Sequence, residues 1–204
     1  KIVFPKRPRI KIIPKKAFRN LTIEKVVLPS DAKKMRKKWH SESLNLKNIQ
    51  IFRNEQQNLI HYGKFILGKS NDNNDIFDVL VFAHKGIETA TIPSFVRTIS
   101  SFAFKNSEQL KEVQFSDESE LQLIEKYAFS NSSIEKIQIP KKVVRIGKDA
   151  FFFCLKLKNV EFTKDSSLRI IDEEAFLKSP LEEISIPLHV TKIGQKAMNC
   201  KKLK

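Results

Sequence analysis

Residues 139–162 read IPKKVVRIGKDAFFFCLKLKNVEF, and residues 92–115 read IPSFVRTISSFAFKNSEQLKEVQF. The two stretches begin 47 residues apart and share an apolar pattern while almost every polar residue differs. The offsets from Pro93 place Val96, Ile99, Ala103-Phe104, Leu110, Val113 and Phe115. The same offsets from Pro140 place Val143, Ile146, Ala150-Phe151, Leu157, Val160 and Phe162. From Pro187 they place Val190, Ile193 and Ala197-Met198. A second type alternates with the first: Leu121, Ile124, Ala128-Phe129, Ile134, Ile137 and Ile139, and again Leu168, Ile171, Ala175-Phe176, Leu181, Ile184 and Ile186. The central residues Val113, Ile137, Val160 and Ile184 are 24, 23 and 24 apart, and Val26 and Ile49 are 23 apart. Self-similarity at a fixed period of this length is the mark of a solenoid, in which each repeat is one coil.

The period predicts the fold. The apolar-x-x-apolar-x-apolar triplet ends with period two, as a short half-buried strand does. Stacked coils pair these strands into a parallel β-ladder with steps of about 4.8 Å. The expected architecture is a solenoid with a parallel β-ladder, one short strand per coil of 23–24 residues and little helix. The shared apolar residues point inward and fill a continuous core. The residues between them face solvent or a partner, so packing leaves them free to differ. Ala of the Ala-Phe pair lets the turn approach the next coil, and Phe fills the corner. Pro, which cannot donate to the ladder, marks the strand end.

The count breaks once. Ile49 to Ala90 is 41 residues, although Ala90 keeps its spacing to Ile137. The surplus falls in 52–86, where YGKFILGK and IFDVLVFA bracket SNDNND. Two β-rich runs around a polar loop predict a hairpin inserted in one coil, projecting from one face and expected to share in binding with the ladder face. The whole of 1–204 reads as one solenoid domain, expected to be part of a longer protein.

The pattern from Ile139 to Phe162, IPxxVxxIxxxAFxxCxxLxxVxF, closely resembles the BspA-like leucine-rich repeat family of bacterial and protozoan proteins. The resemblance covers most of the chain; Trp39-His40, where Ala-Phe is expected, departs from it. It implies a non-catalytic protein of the cell surface or secreted space. It further implies adhesion to a host cell-surface or extracellular-matrix protein or a sulfated glycan. The alternatives are an intracellular protein–protein scaffold of the same fold and a polyanion binder acting through the basic N-terminal coils.

Chemistry beyond binding is not written here. The sequence lacks G-x-S-x-G, a P-loop and G-x-G-x-x-G, and no nucleophile–base constellation can be named, so neither an enzyme nor a cofactor is expected. His40, His61, His84 and His189 lack metal-ligand spacing. Cys154 and Cys200 fall two coils apart, beyond the roughly 7 Å that a disulfide spans, and read as buried thiols. Asp172, Glu173 and Glu174 read as a solvated charge run at a turn. Asn131 heads an Asn-Ser-Ser sequon but holds the same repeat position as Asn20, which favours a turn role. No run of 18 apolar residues exists to insert in a membrane.

Two surfaces remain. The outward ladder positions are Lys111, Glu112, Gln114, Glu135, Lys136, Gln138, Lys158, Asn159, Glu161, Glu182, Glu183 and Ser185. They form a candidate protein-binding face, mixed in sign. The net charge of +15 is concentrated elsewhere: residues 1–38 hold 14 Lys or Arg against Glu24 and Asp31. Lys6, Arg7, Arg9, Lys33, Lys34, Arg36, Lys37 and Lys38 form a candidate polyanion patch. Neither a recognition helix nor an aromatic platform accompanies them, so nucleic acid is disfavoured.

Overall fold

The structure is a computed structural model that describes residues 1–3, 12–13, 18, 24–29, 34–35, 46–52, 58–71, 73 and 75–200. The chain divides into two compact units, Lys1–Lys85 and Gly86–Lys204. The described residues are all strand, turn or irregular, and the corners are built from non-helical turns.

In the first unit, β1 (Ile2–Val3), β3 (Lys25–Pro29) and β5 (Asn48–Phe52) form a parallel sheet, with Ile2 opposite Val26 and Val26 opposite Ile49. β2 (Ile12–Ile13) pairs in parallel with β4 (Lys34–Met35). Trp39 and His40 lie outside the described residues. The insert is an antiparallel meander of β6 (Leu59–Tyr62), β7 (Phe65–Gly68) and β8 (Val79–Ala83). A two-residue turn with Gly63 at φ 57° joins β6 to β7, the conformation that glycine adopts without steric cost. The polar loop before β8 is tied down by buried Asp78, which accepts from Ser70 N at 2.9 Å and Ser70 Oγ at 2.8 Å.

The insert does not project as expected. All four residues of β7 are buried, and Leu59, Ile66 and Phe82 share one apolar cluster with Phe18, Val26, Leu28, Leu46 and Ile49. The physical reason lies in its own sequence: FIL and VLVF carry apolar residues on both strand faces, and such strands must be covered twice.

In the second unit each coil turns through two strands. The marker triplets form β9 (Thr89–Thr91), β11 (Glu112–Gln114), β13 (Lys136–Ile139) and β15 (Asn159–Phe162), a four-stranded parallel ladder. Between them fall two-residue strands that the spacing did not separate from the arc: β10 (Thr98–Ile99), β12 (Leu123–Ile124), β14 (Arg145–Ile146), β16 (Ile170–Ile171) and β17 (Lys192–Ile193). These form a second parallel ladder. The prolines open the turns between the two: Pro93, Pro140 and Pro187 carbonyls accept from Val96, Val143 and Val190 N at 3.0, 3.2 and 3.1 Å.

The Ala-Phe corner closes each coil. Ala103, Ala128, Ala150 and Ala175 are fully buried, and three of their carbonyls accept from the Phe N of the preceding coil at 2.7–2.8 Å. This is a third run of backbone bonds between coils, and only a small side chain lets the backbones approach for it. Phe104, Phe129, Phe151 and Phe176 stack behind it, with ring centroids 4.8, 5.0 and 5.1 Å apart and planes within 9°. The residue before each Ala is left-handed (Phe102, Tyr127, Asp149, Glu174 and Lys196, φ 55–69°), and so is the residue two after each Phe (Asn106, Asn131, Phe153 and Lys178, φ 57–66°). Asn131 thus has the turn role expected of it, and its Nδ2 donates to Asn106 Oδ1 at 3.0 Å. Cys154 and Cys200 are buried free thiols; each Sγ donates to a phenylalanine carbonyl of the coil before, 3.1 Å to Phe129 O and 3.3 Å to Phe176 O. Burial pushes the Cys154 thiol up to about 11, as suits a structural cysteine.

Candidate functional site

The inward face of the four-stranded ladder is Ala90, Val113, Ile137 and Val160, all buried. Side chains alternate along a strand, so their neighbours face outward in columns. One column is Thr89, Glu112, Lys136 and Asn159; another is Thr91, Gln114, Gln138 and Glu161. The outward residues of β11, β13 and β15, with the loops that follow, line a groove of about 480 Å³. Six of the twelve face residues singled out in the sequence meet there: Glu112, Gln114, Lys136, Gln138, Asn159 and Glu161. The loops add Asp117, Lys141, Lys164 and Asp165, which the strand pattern could not supply.

Lys111, Glu135 and Lys158 belong to a different column, at the entry to the strands. With Glu88 and Glu182 they read Glu-Lys-Glu-Lys-Glu down successive coils. Lys111 N donates to Glu88 O, Glu135 N to Lys111 O and Lys158 N to Glu135 O at 2.8–3.0 Å, so opposite charges face each other at every described step. Lys111 Nζ lies 2.8 Å from Glu88 and is held above the usual lysine range by that hydrogen bond. Glu24 and Lys47 repeat the motif in the first unit at 2.7 Å. The mixed sign of this face therefore has an internal use. Exposed pairs of this kind add little to stability. Residues 182–186 add no strand to the ladder, so Glu182, Glu183 and Ser185 stand apart from the groove.

Within the groove, Lys136 pairs with Glu112 at 3.0 Å and Lys141 with Asp165 at 3.6 Å. The Lys136 hydrogen bond holds the Glu112 carboxyl below its usual range. Gln114 Nε2 donates to Glu112 Oε2 at 3.3 Å, and Thr91 Oγ1 donates to Gln114 Oε1 at 3.3 Å. The side chains of Gln138, Asn159 and Glu161 are exposed and bond no other protein group.

Asp172, Glu173 and Glu174 are not the solvated run expected of them. Asp172 takes both a 2.7 Å bond from Arg145 Nε and a 3.1 Å bond from Nη2, and Glu173 pairs with Lys148. Tyr127, Asp149 and Glu174 occupy the same corner position of three successive coils. Asp149 is 2% exposed with Oδ2 unpartnered, and burial drives its pKa above the ordinary aspartate value, with Glu174 adding to the rise. In the first unit His61 and His84 meet edge to face, 5.4 Å between ring centroids. Burial, then the neighbouring His61, lowers His84 to about 4. Among the described residues no three His, Cys, Asp or Glu converge on a metal position, and no helix is long and apolar enough to cross a membrane. Of the basic patch, Lys34 falls in β4, while Lys6, Arg7, Arg9, Lys33, Arg36, Lys37 and Lys38 lie outside the described residues.

Stacked coils, parallel ladders and an Ala-Phe corner define a leucine-rich repeat solenoid. The family model for BspA-type leucine-rich repeat regions, in six copies, matches residues 1–77 and 75–204. The chain belongs to the BspA-type leucine-rich repeat family. Its fold is similar to that of a leucine-rich repeat protein from Eubacterium ventriosum, at TM-score 0.63 and 18% identity over 100% of this chain and 65% of that one. It is also similar to the pneumococcal vaccine antigen PcpA, at TM-score 0.51 and 22% identity over 71% of this chain and 47% of that one. This chain thus spans two thirds or less of either structure. No curated protein matches the sequence.

Proposed function

We propose that this chain is a non-catalytic adhesion module of a surface-exposed or secreted protein, binding a host cell-surface or extracellular-matrix protein through the ladder-face groove. The observation that carries the reading is the groove itself. Its three strands spend their inward residues on the core and hold Gln138, Asn159 and Glu161 outward, where packing makes no use of them. Solenoids present binding surfaces on such stacked faces. Its charged and amide-bearing lining suits the polar side chains of a partner rather than a small cofactor, whose sites are predominantly apolar. Family membership and the antigen among the similar structures support the surface location. The inserted meander, built into the core of its unit, contributes stability rather than contact.

A surface-binding assay tests this. The purified chain is passed over immobilised fibronectin, laminin, collagen and heparin. Gln138→Trp, which fills the groove from an exposed strand position, is run beside it. Capture by a protein that Gln138→Trp removes, with circular dichroism unchanged, is the expected result. Capture by heparin alone, unaffected by Gln138→Trp, would move recognition to the basic residues of 1–38 and sink the proposal.

A further inference from the structure

Seven charged side chains line the groove: Glu112, Asp117, Lys136, Lys141, Glu161, Lys164 and Asp165. Four are spent on each other, as Glu112–Lys136 and Lys141–Asp165. Asp117, Glu161 and Lys164 have no ionic partner within the protein, leaving a residual charge of one negative. The three are not equivalent. Asp117 and Lys164 are carried on the loops after β11 and β15, whereas Glu161 is fixed in β15 by its register with Gln138. The one uncompensated charge on a rigid element is therefore a carboxylate, in a chain whose net charge is +15. Beside it, at ladder steps of about 4.8 Å, stand the side-chain amides of Gln138 and Gln114.

Resting on the adhesion reading, we infer that the groove takes an extended peptide segment carrying a lysine or arginine, with the cation on Glu161 and the peptide's amides on Gln138 and Asn159. Three considerations select this occupant. An anionic ligand, a sulfated glycan included, would find one unpaired loop cation, Lys164, against the two unpaired carboxylates of Asp117 and Glu161, because Lys136 and Lys141 are already neutralised by Glu112 and Asp165. An apolar segment would leave Gln138, Asn159 and Glu161 desolvated without partners, which is unfavourable. A cation from the partner completes the charge pairing that the groove leaves open, and such complementarity sets specificity more than raw affinity.

The test uses the full chain and three fluorescent peptides of about seven residues, identical but for Lys, Glu or norleucine at the centre of a Ser-Gln-rich sequence. Anisotropy is followed at low salt. The Lys peptide is expected to bind about tenfold tighter than the Glu peptide, a difference that Glu161→Gln removes and Glu161→Lys reverses. Equal binding of the three, preference for Glu, discrimination that survives Glu161→Gln, or no binding by any peptide overturns the inference. Capture on matrix proteins separates this from the parent reading. If Gln138→Trp still abolishes capture while the peptides show no charge preference, the groove stands and its cation site falls. If Gln138→Trp leaves capture intact, the groove itself falls.

Discussion

Replacing Phe151 by leucine should cost more than making the same change at Phe176. Phe151 lies between two rings, 5.0 Å from Phe129 and 5.1 Å from Phe176, with planes 2° and 7° off parallel. Phe176 has one such neighbour, Phe151. Both are fully buried, so the transfer contribution of the exchange is alike at the two sites. An aromatic pair contributes about 0.5–1.5 kcal/mol beyond the area it buries. Phe151→Leu therefore loses roughly 1–3 kcal/mol of stacking and Phe176→Leu roughly half that. Phe151→Ala adds a cavity and should cost about 3–5 kcal/mol, a large share of the ~5–15 kcal/mol that holds an ordinary domain folded. Urea unfolding followed by far-UV circular dichroism gives these differences as shifts in midpoint at unchanged slope. The Phe129→Leu and Phe151→Leu losses should not add, because the two rings share a contact. Equal costs at Phe151 and Phe176, or a Phe151→Ala cost under about 1 kcal/mol, would refute the idea that coils are joined ring by ring.

Three further outcomes follow from the same coordinates. Gly147→Ala should destabilise by about 1–3 kcal/mol, since its Cβ would come 2.8 Å from backbone atoms of Glu125 and Lys126; a neutral effect in thermal unfolding would contradict that approach. Asp149 has a raised pKa in the folded chain, so its contribution is present in acid and is lost as pH rises from the ordinary aspartate value of 3.8 through the raised one. Tm of Asp149→Asn should therefore gain on wild type from acid to neutral pH, with Glu174, Tyr127 and Lys126 unchanged around it; parallel curves would exclude the effect. His84 works in the opposite sense: its pKa is lowered from 6.5 to about 4, so stability is lost as pH falls through that window. His84→Gln should flatten the acid side of the Tm profile, and an unchanged acid slope would count against a half-buried neutral imidazole.

The sequence displays whatever packing dictates. Val113, Ile137 and Val160 recur because they fill one inward row, and Ala150-Phe151 recurs because one residue must be small and the next must fill the corner. Pro140 could be read as a strand end for want of an N–H. The second ladder was not legible, because two-residue strands such as Arg145–Ile146 are too short to show a period. Nor were the left-handed corners: Phe102, Tyr127 and Phe153 adopt φ of 58–69° without the glycine that would announce it. Leu59–Tyr62 was missed as a strand because its neighbours in the insert follow no repeat. Six of the twelve candidate face residues line the groove. Lys111, Glu135 and Lys158 looked like the same surface until register showed that they belong to the alternating column. The loop residues Asp117 and Lys164 carry no pattern at all and enter the groove only through the turn of each coil.

Binding of the purified chain to epithelial monolayers, wild type against Gln138→Trp and each with and without excess heparin, tests the central claim most directly. The groove account predicts that wild type binds in heparin and that Gln138→Trp does not bind. Equal binding by the two proteins, abolished in both by heparin, would contradict it and place recognition on the basic residues of 1–38.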